Sequence, residues 1–354
     1  MSGGGCPQGS IPLYPGEVPF NTGRAKRDVL KVDPALSGEE AMTFVFDPRH
    51  HHPTSTREFD TAVFHNAILR GRCGENFDDV PYLTPYVVPG SRICVLLAAG
   101  GAYLDVSTEE ESAPVARELN RHGITAFTLN YRFYPYTQPA PFVDCRRALC
   151  WLRAHADDYG FDPGKICLGG FSAGGNLAAT TVHLFGELPE IPGYTPDAID
   201  RVDPRPNALM LAYPKVIFTD THDLLIPILG EAFFTGDVGE AVRHYTITNH
   251  MAKGVTPPSF LVGSVNDTVV DPGNLYAYAM RCHAIGVPCE LHEFLEGGHG
   301  YGAARGREYS PWAPPGDYRG LDTWCDLFAI WLEKVFNPPG ARHYRPAGEV
   351  PEQP

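Results

Sequence analysis

The chain has 354 residues, 43% of them hydrophobic, with 42 acidic and 28 basic side chains and a formal net charge of −14. That supplies an ordinary core and argues against disorder. The acidic balance disfavours nucleic acid and anionic membrane surfaces as partners and suits a neutral or cationic small molecule. No run of about 18 apolar residues occurs, so no membrane-spanning helix is expected.

The start, Met1 to Ser10, reads MSGGGCPQGS. It has neither a basic opening nor an apolar run, so the expectation is a cytoplasmic protein without a secretory signal. The nine cysteines stand at 6, 73, 94, 145, 150, 167, 282, 289 and 325. None forms a CxxC pair or a zinc-type spacing, so they are expected to pack as small hydrophobes rather than as disulfides or metal ligands. No metal and no organic cofactor is expected.

Residues 1–80 are rich in Pro, Gly and charge, with one helix-like patch near Phe59–Leu69, and are read as an extension whose fold the sequence does not specify. His50, His51 and His52 lack accompanying Cys or spaced carboxylates, so a solvated loop is expected there, not a metal site. A domain over 81–340 follows, and 341–354 form a tail. In the domain, apolar runs at Ile93–Ala98, Ile124–Leu129, Lys165–Leu168, Ala208–Tyr213, Phe260–Val262 and Cys289–Phe294 predict strands, most buried on both faces. Helical spacing lies between them. Phe142, Cys145, Leu149 and Leu152 share one stripe; Leu321, Trp324, Phe328, Trp331, Leu332 and Val335 share another. The alternation predicts an α/β fold, a mostly parallel central sheet with helices on both faces. Segment 184–206 interrupts it, and so does about 214–257, which is read as a partial cap near the C-terminal ends of the strands, where such sheets place ligands.

The strongest chemical signal is Gly169-Gly170-Phe171-Ser172-Ala173-Gly174-Gly175. It contains G-x-S-x-G between a predicted strand and a predicted helix, the context of a nucleophile elbow. Ser172 is the candidate nucleophile. Attack on a carbonyl places negative charge on its oxygen, which needs backbone N–H donors. Ala173 is expected to give one. The loop Ala99-Gly100-Gly101-Ala102-Tyr103 follows an earlier strand and is expected to give the others, from Gly101 and Ala102 in the stretch Gly100–Ala102. His299, in Glu296-Gly-Gly-His299-Gly-Tyr-Gly past the last predicted strand, is the candidate base. Asp267 follows the preceding strand and is the candidate acid that orients it. Asp271, before Pro272, is expected to cap a helix. His292, inside a strand, is expected to be a packing or surface residue. The chain order Ser, Asp, His fits this fold class.

These residues resemble α/β-hydrolase-fold esterases of the hormone-sensitive-lipase-like group, and more closely short-chain carbohydrate esterases of the acetyl xylan and feruloyl esterase type. The resemblance rests on Ala99–Tyr103, Leu129-Asn-Tyr-Arg132, Phe161–Gly175, Thr256–Leu261, Asn266-Asp267 and Cys289–Phe294 with Gly297-Gly-His-Gly300, and it covers roughly residues 83–336. Ala99 and Ala102 depart from the His-Gly-Gly-Gly loop common in the group. The resemblance implies a triad of Ser172, Asp267 and His299, an oxyanion loop at Gly100–Ala102, and a structural role for Arg132.

The expected function is a carboxylesterase or acetyl esterase-type serine hydrolase that forms an acyl-enzyme on short acyl esters, acetylated or feruloylated carbohydrates among them. Activity should fall on the acid side as His299 takes a proton. Tyr103 and Phe171, with Phe133 and Tyr134, are the aromatics placed to line a pocket. An amidase, formamidase or peptidase could use the same triad. A ligand-binding homologue without chemistry is the third reading, disfavoured because all three triad members are present.

Overall fold

The computed structural model defines the fold over residues 7–21, 80–103, 105–133, 136–218, 225–229, 236–304 and 317–338. The strands are Ile11–Pro12 (β1), Tyr82–Tyr86 (β2), Cys94–Ala98 (β3), Thr125–Asn130 (β4), Ile166–Phe171 (β5), Ala208–Ala212 (β6), Ser259–Ser264 (β7) and Cys289–Phe294 (β8). They form one 8-stranded sheet in the order β1-β2-β4-β3-β5-β6-β7-β8. From β4 through β8 neighbouring strands are parallel, while β1 and β2 pair antiparallel at one edge.

Every residue of β3 to β7 is buried. Their mostly apolar runs have this cause: both faces of the sheet are covered, so no position faces water, and the few polar residues, Thr125, Thr128 and Asn130 of β4 and Ser259 and Ser264 of β7, are buried too. β8 is the far edge and is only partly buried. The covering helices are Ala113–Arg121 (α1), Ala140–Ala154 (α2), Ala156–Tyr159 (α3), Ala173–Leu184 (α4), Leu225–Leu229 (α5), Val238–Tyr245 (α6), Gly273–Ala284 (α7) and Trp324–Phe336 (α8). Phe142, Cys145, Leu149 and Leu152 of α2 join Leu177 of α4 and Tyr278 of α7 in the core on one face. Trp324, Phe328, Trp331 and Leu332 of α8 join Val115 and Leu119 of α1 on the other. Both predicted stripes are therefore buried seams.

Two elements differ from expectation. β2 has no sequence signature because Pro85 interrupts it. β1 covers only Tyr82 and Leu83, so Pro85 stands where one side of the strand has no partner, a place that tolerates a missing N–H. The second difference lies in residues 7–21, which the sequence reading leaves outside the domain. Leu13, Tyr14 and Val18 are buried in the core of the α2 face, and the Arg147 Nε donates to the Leu13 carbonyl at 3.1 Å. Of the segment 214–257, Leu225, Ile228, Tyr245, Ile247 and Met251 pack into the same core. The patch Phe59–Leu69, the histidines at 50–52, Phe233, Phe234 and the tail 341–354 lie outside the described residues.

Candidate active site

Five loops leave the C-terminal ends of β3, β5, β6, β7 and β8 on the same edge of the sheet, so residues far apart in sequence meet there. Ser172 joins β5 to α4 with φ 50° and ψ −117°, a region that non-glycine residues rarely occupy. The turn is held by the Ser172 N–H, which donates to the Ala212 carbonyl at 2.9 Å, and by the Asn176 N–H, which donates to the Ser172 carbonyl at 3.0 Å. The flanking glycines follow from crowding: a Cβ on Gly170 would meet the Gly174 carbonyl oxygen at 2.1 Å, and one on Gly174 would meet the Ala98 oxygen at 2.1 Å.

His299 Nε2 lies 2.8 Å from Ser172 Oγ, and its Nδ1 lies 2.7 Å from Asp267 Oδ2. A carboxylate only accepts, so Nδ1 carries the proton of the neutral ring; Nε2 is then the acceptor of the serine O–H. Asp267 and His299 are both buried. The second carboxylate oxygen, Oδ1, accepts from the N–H groups of Val269 at 2.8 Å and Val270 at 2.9 Å, which fixes its plane. The turn that carries His299 is tied to the end of β7: Asn266 Oδ1 accepts from the N–H groups of Gly297 at 2.9 Å and Gly298 at 2.8 Å. Ser264 Oγ donates to the Gly298 carbonyl at 2.5 Å. Asp271 is occupied elsewhere; its Oδ1 accepts from the first N–H of α7 at Gly273, 2.8 Å away. His292 packs its ring on Phe260 with centroids 5.1 Å apart and bonds Glu290 at 2.9 Å.

The loop after β3 runs through three consecutive positive φ angles: Gly101 at 127°, Ala102 at 54° and Tyr103 at 57°. For alanine and tyrosine that conformation costs roughly 1 kcal/mol or more each. The bonds from Asp105 N–H to the Gly101 carbonyl and from Ser107 N–H to the Gly100 carbonyl, both 3.0 Å, hold it. The loop touches the elbow, since a Cβ on Gly100 would sit 2.8 Å from Ser172 Cβ. Gly100 is not free to act as an oxyanion donor: its N–H donates to Glu111 Oε2. Among the described residues, no acceptor takes the N–H groups of Gly101, Ala102 or Ala173.

The aromatics do not form a pocket wall as expected. Tyr103 and Phe171 are both fully buried. The Tyr103 hydroxyl donates to Asn176 Oδ1 at 2.8 Å, and its ring meets Tyr131 and Phe142 edge-on. Phe171 packs on Tyr213 and Trp324. Strand alternation turns Phe171 to the face opposite its neighbour Ser172, and the left-handed turn sends Tyr103 inward. Phe133 is also core, and Tyr134 lies outside the described residues.

Two residues near the triad escape sequence reasoning. Glu111 is buried on the turn Thr108–Ser112, which has π-helical hydrogen bonding. Burial raises its carboxyl to about 7, against the opposing pull of the Gly100 N–H, His299 and the Tyr213 hydroxyl. Tyr213, one residue past β6, has φ 37°. Its hydroxyl donates to Glu111 Oε1 at 3.1 Å and accepts from Gly302 N–H at 3.2 Å. Its ring stands edge-on to His299, centroids 4.8 Å apart. The available signals were slight: the acidic run Glu109–Glu111 leads into an apolar helix, and a tyrosine ends an apolar strand. Arg132 belongs elsewhere, in a buried pair with Asp144. No group of three or more His, Cys, Asp and Glu able to hold a metal occurs among the described residues. No helix among them is long and apolar enough to cross a membrane.

Comparison with known proteins agrees with this architecture. The model of an α/β-hydrolase-fold family matches residues 95–303. The crystal structure of an acetyl ester-xyloside bifunctional hydrolase from Caldicellulosiruptor lactoaceticus superposes with a TM-score of 0.62 at 32% identity, covering 73% of this chain and 89% of that one. Endo-1,4-beta-xylanase B of Butyrivibrio fibrisolvens is 28% identical over 246 residues, 68% of this chain and 37% of that protein. Acetylxylan esterase of Xylanibacter ruminicola is 26% identical over 209 residues, 57% of this chain and 40% of that protein. The chain thus spans well under half the length of these curated relatives. With the sheet order, the elbow and these matches together, the chain belongs to the α/β-hydrolase-fold family.

Proposed function

We propose that the chain is a serine carboxylic ester hydrolase for short acyl esters, acetylated or feruloylated carbohydrates among them, working through an acyl-enzyme on Ser172. The carrying observation is the unbroken relay from Asp267 through His299 to Ser172, with links of 2.7 and 2.8 Å. In the first half-reaction His299 Nε2 takes the serine proton as Oγ attacks the ester carbonyl. The N–H groups of Gly101, Ala102 and Ala173 receive the oxyanion; one such donor contributes about 3 kcal/mol to the transition state. The imidazolium, held by Asp267, then protonates the departing alcohol. In the second half-reaction His299 activates water, which attacks the acyl carbon and releases the acid. The chemistry needs no cofactor.

The chain's similarity to an acetylxylan esterase and to an acetyl ester-xyloside bifunctional hydrolase supports acetylated sugars as the substrate class. The test is hydrolysis of p-nitrophenyl esters from acetyl to octanoyl, alongside a matched anilide, by wild type and Ser172→Ala. Serine-dependent turnover that is fastest on acetyl supports the proposal. Preference for octanoyl overturns the short-acyl assignment. Faster turnover of the anilide points to an amidase. Turnover that survives the substitution, or none on any substrate, overturns the mechanism.

A further inference from the structure

Glu111 has the placement of a functional group and not of a packing residue. Its two carboxylate oxygens face different loops. Oε2 accepts the Gly100 N–H at the start of the loop that abuts Ser172. Oε1 accepts the Tyr213 hydroxyl, which in turn accepts the Gly302 N–H, three residues after His299. One carboxyl group therefore links the loop carrying Gly101 and Ala102 to the turn carrying His299.

The backbone repeats the link. Gly302 adopts φ 49°, and a Cβ there would sit 2.2 Å from the Glu110 carbonyl oxygen and 3.2 Å from Glu111 Cα, so the two turns are in direct contact. Glu111 itself sits in a π-helical turn, an irregularity common at functional sites. No arginine or lysine bonds its carboxyl among the described residues. An apolar or amide side chain would fill the same space without the burden of a buried charge. What a carboxylate adds is negative charge toward His299, which becomes an imidazolium when it takes the serine proton.

We infer that Glu111 is a second carboxylate of this site: a positioning residue that holds the oxyanion loop against the elbow and whose charge, passed through the shared network, favours the imidazolium of His299. The inference rests on the serine hydrolase reading above. Titratable groups facing the Glu111 carboxyl are Tyr213 after β6, Tyr131 after β4, His299 after β8 and Glu110 on its own turn. Of these only His299 becomes cationic, so the attraction between the two makes imidazolium formation easier and leaves its signature on the acid side of the pH profile.

The experiment is steady-state hydrolysis of p-nitrophenyl acetate from pH 5.5 to 9 by wild type, Glu111→Gln, Tyr213→Phe and Ser172→Ala, with fluorophosphonate labelling of Ser172 as a check of the folded site. Glutamine keeps an acceptor for the Gly100 N–H and removes the charge. It should lower kcat about tenfold or more, leave KM within about threefold, and move the acid limb of kcat/KM to lower pH by about half a unit. Tyr213→Phe keeps the carboxylate and cuts the link to Gly302; it should lower kcat with the acid limb in place. Wild-type kcat in both variants overturns the inference. So does a loss in Glu111→Gln with an unmoved acid limb, because a merely structural glutamate gives that result. If turnover persists in Ser172→Ala, the hydrolase reading itself has failed. If turnover depends on Ser172 but ignores Glu111, only the second-carboxylate inference has.

Discussion

Asp144 and Glu111 are both buried carboxylates, and they differ in what answers their charge. Asp144 on α2 meets Arg132 in a two-pronged bond, with Nε to Oδ2 at 2.8 Å and Nη2 to Oδ1 at 2.6 Å, and also accepts the Arg132 N–H at 3.0 Å. The same guanidinium donates to the Pro19 carbonyl, so the pair clamps the N-terminal segment onto the domain. Glu111 receives one backbone N–H and one tyrosine hydroxyl. Charge is thus compensated where the molecule needs rigidity. It is left open beside Ser172 and His299, where the proposed mechanism makes charge appear and disappear. The comparison teaches that burial alone does not classify an ionised group; its partners do.

The sharpest way to break the comparison is at the triad. Ser172→Ala should lower kcat on p-nitrophenyl acetate by about 10⁶, the scale of losing a serine nucleophile, while urea unfolding stays near wild type. Next is the clamp. Arg132→Ala leaves Asp144 buried without its cation and should cost about 3–5 kcal/mol in urea denaturation. The folded fraction should keep its KM, since Arg132 makes no bond to the triad.

Glu111 should behave in the opposite way. Its folded carboxyl lies at about 7, above the value of 4.5 it has when exposed. The folded state therefore binds the extra proton between those values, and stability falls as pH rises through that window. Ionised Glu111 then costs about 3 kcal/mol above pH 7. Glu111→Gln should unfold at a higher temperature than wild type at pH 8.5, with the gap closing toward pH 5. A variant that is less stable at every pH would place Glu111 with Asp144, as a structural charge. The smallest effect is at Ala102. Glycine there relieves the left-handed backbone but gains freedom in the unfolded chain, so Ala102→Gly should change stability by less than about 1 kcal/mol. Its kcat/KM should remain within about threefold, because the proposed donor is the backbone N–H.

What the sequence made legible follows the physics of each element. Strands covered on both faces are mostly apolar, so β3 to β7 could be read directly. The elbow could be read because crowding demands glycine on both sides of Ser172. β2 could not, since beyond Leu83 it is paired on one side only, where proline is tolerated, and it has no single period. Residues 7–21 could not, since their attachment depends on Arg132 and Arg147, whose bonds to Pro19 and Leu13 bridge more than a hundred residues. The aromatics misled because proximity in sequence says nothing of direction. Phe171 is next to Ser172 and faces the other way. Glu111 and Tyr213 were invisible for the reverse reason: 102 positions separate them, and only the sheet order brings their side chains together.

The most direct test of the central claim is intact-protein and peptide mass spectrometry of the enzyme mixed with p-nitrophenyl acetate and quenched in acid within milliseconds to seconds. The account predicts one acetyl group per chain on the peptide containing Ser172, appearing before steady-state turnover and absent from Ser172→Ala. Steady-state hydrolysis with no adduct on that peptide, or an acetyl group carried by another residue in both proteins, would contradict it.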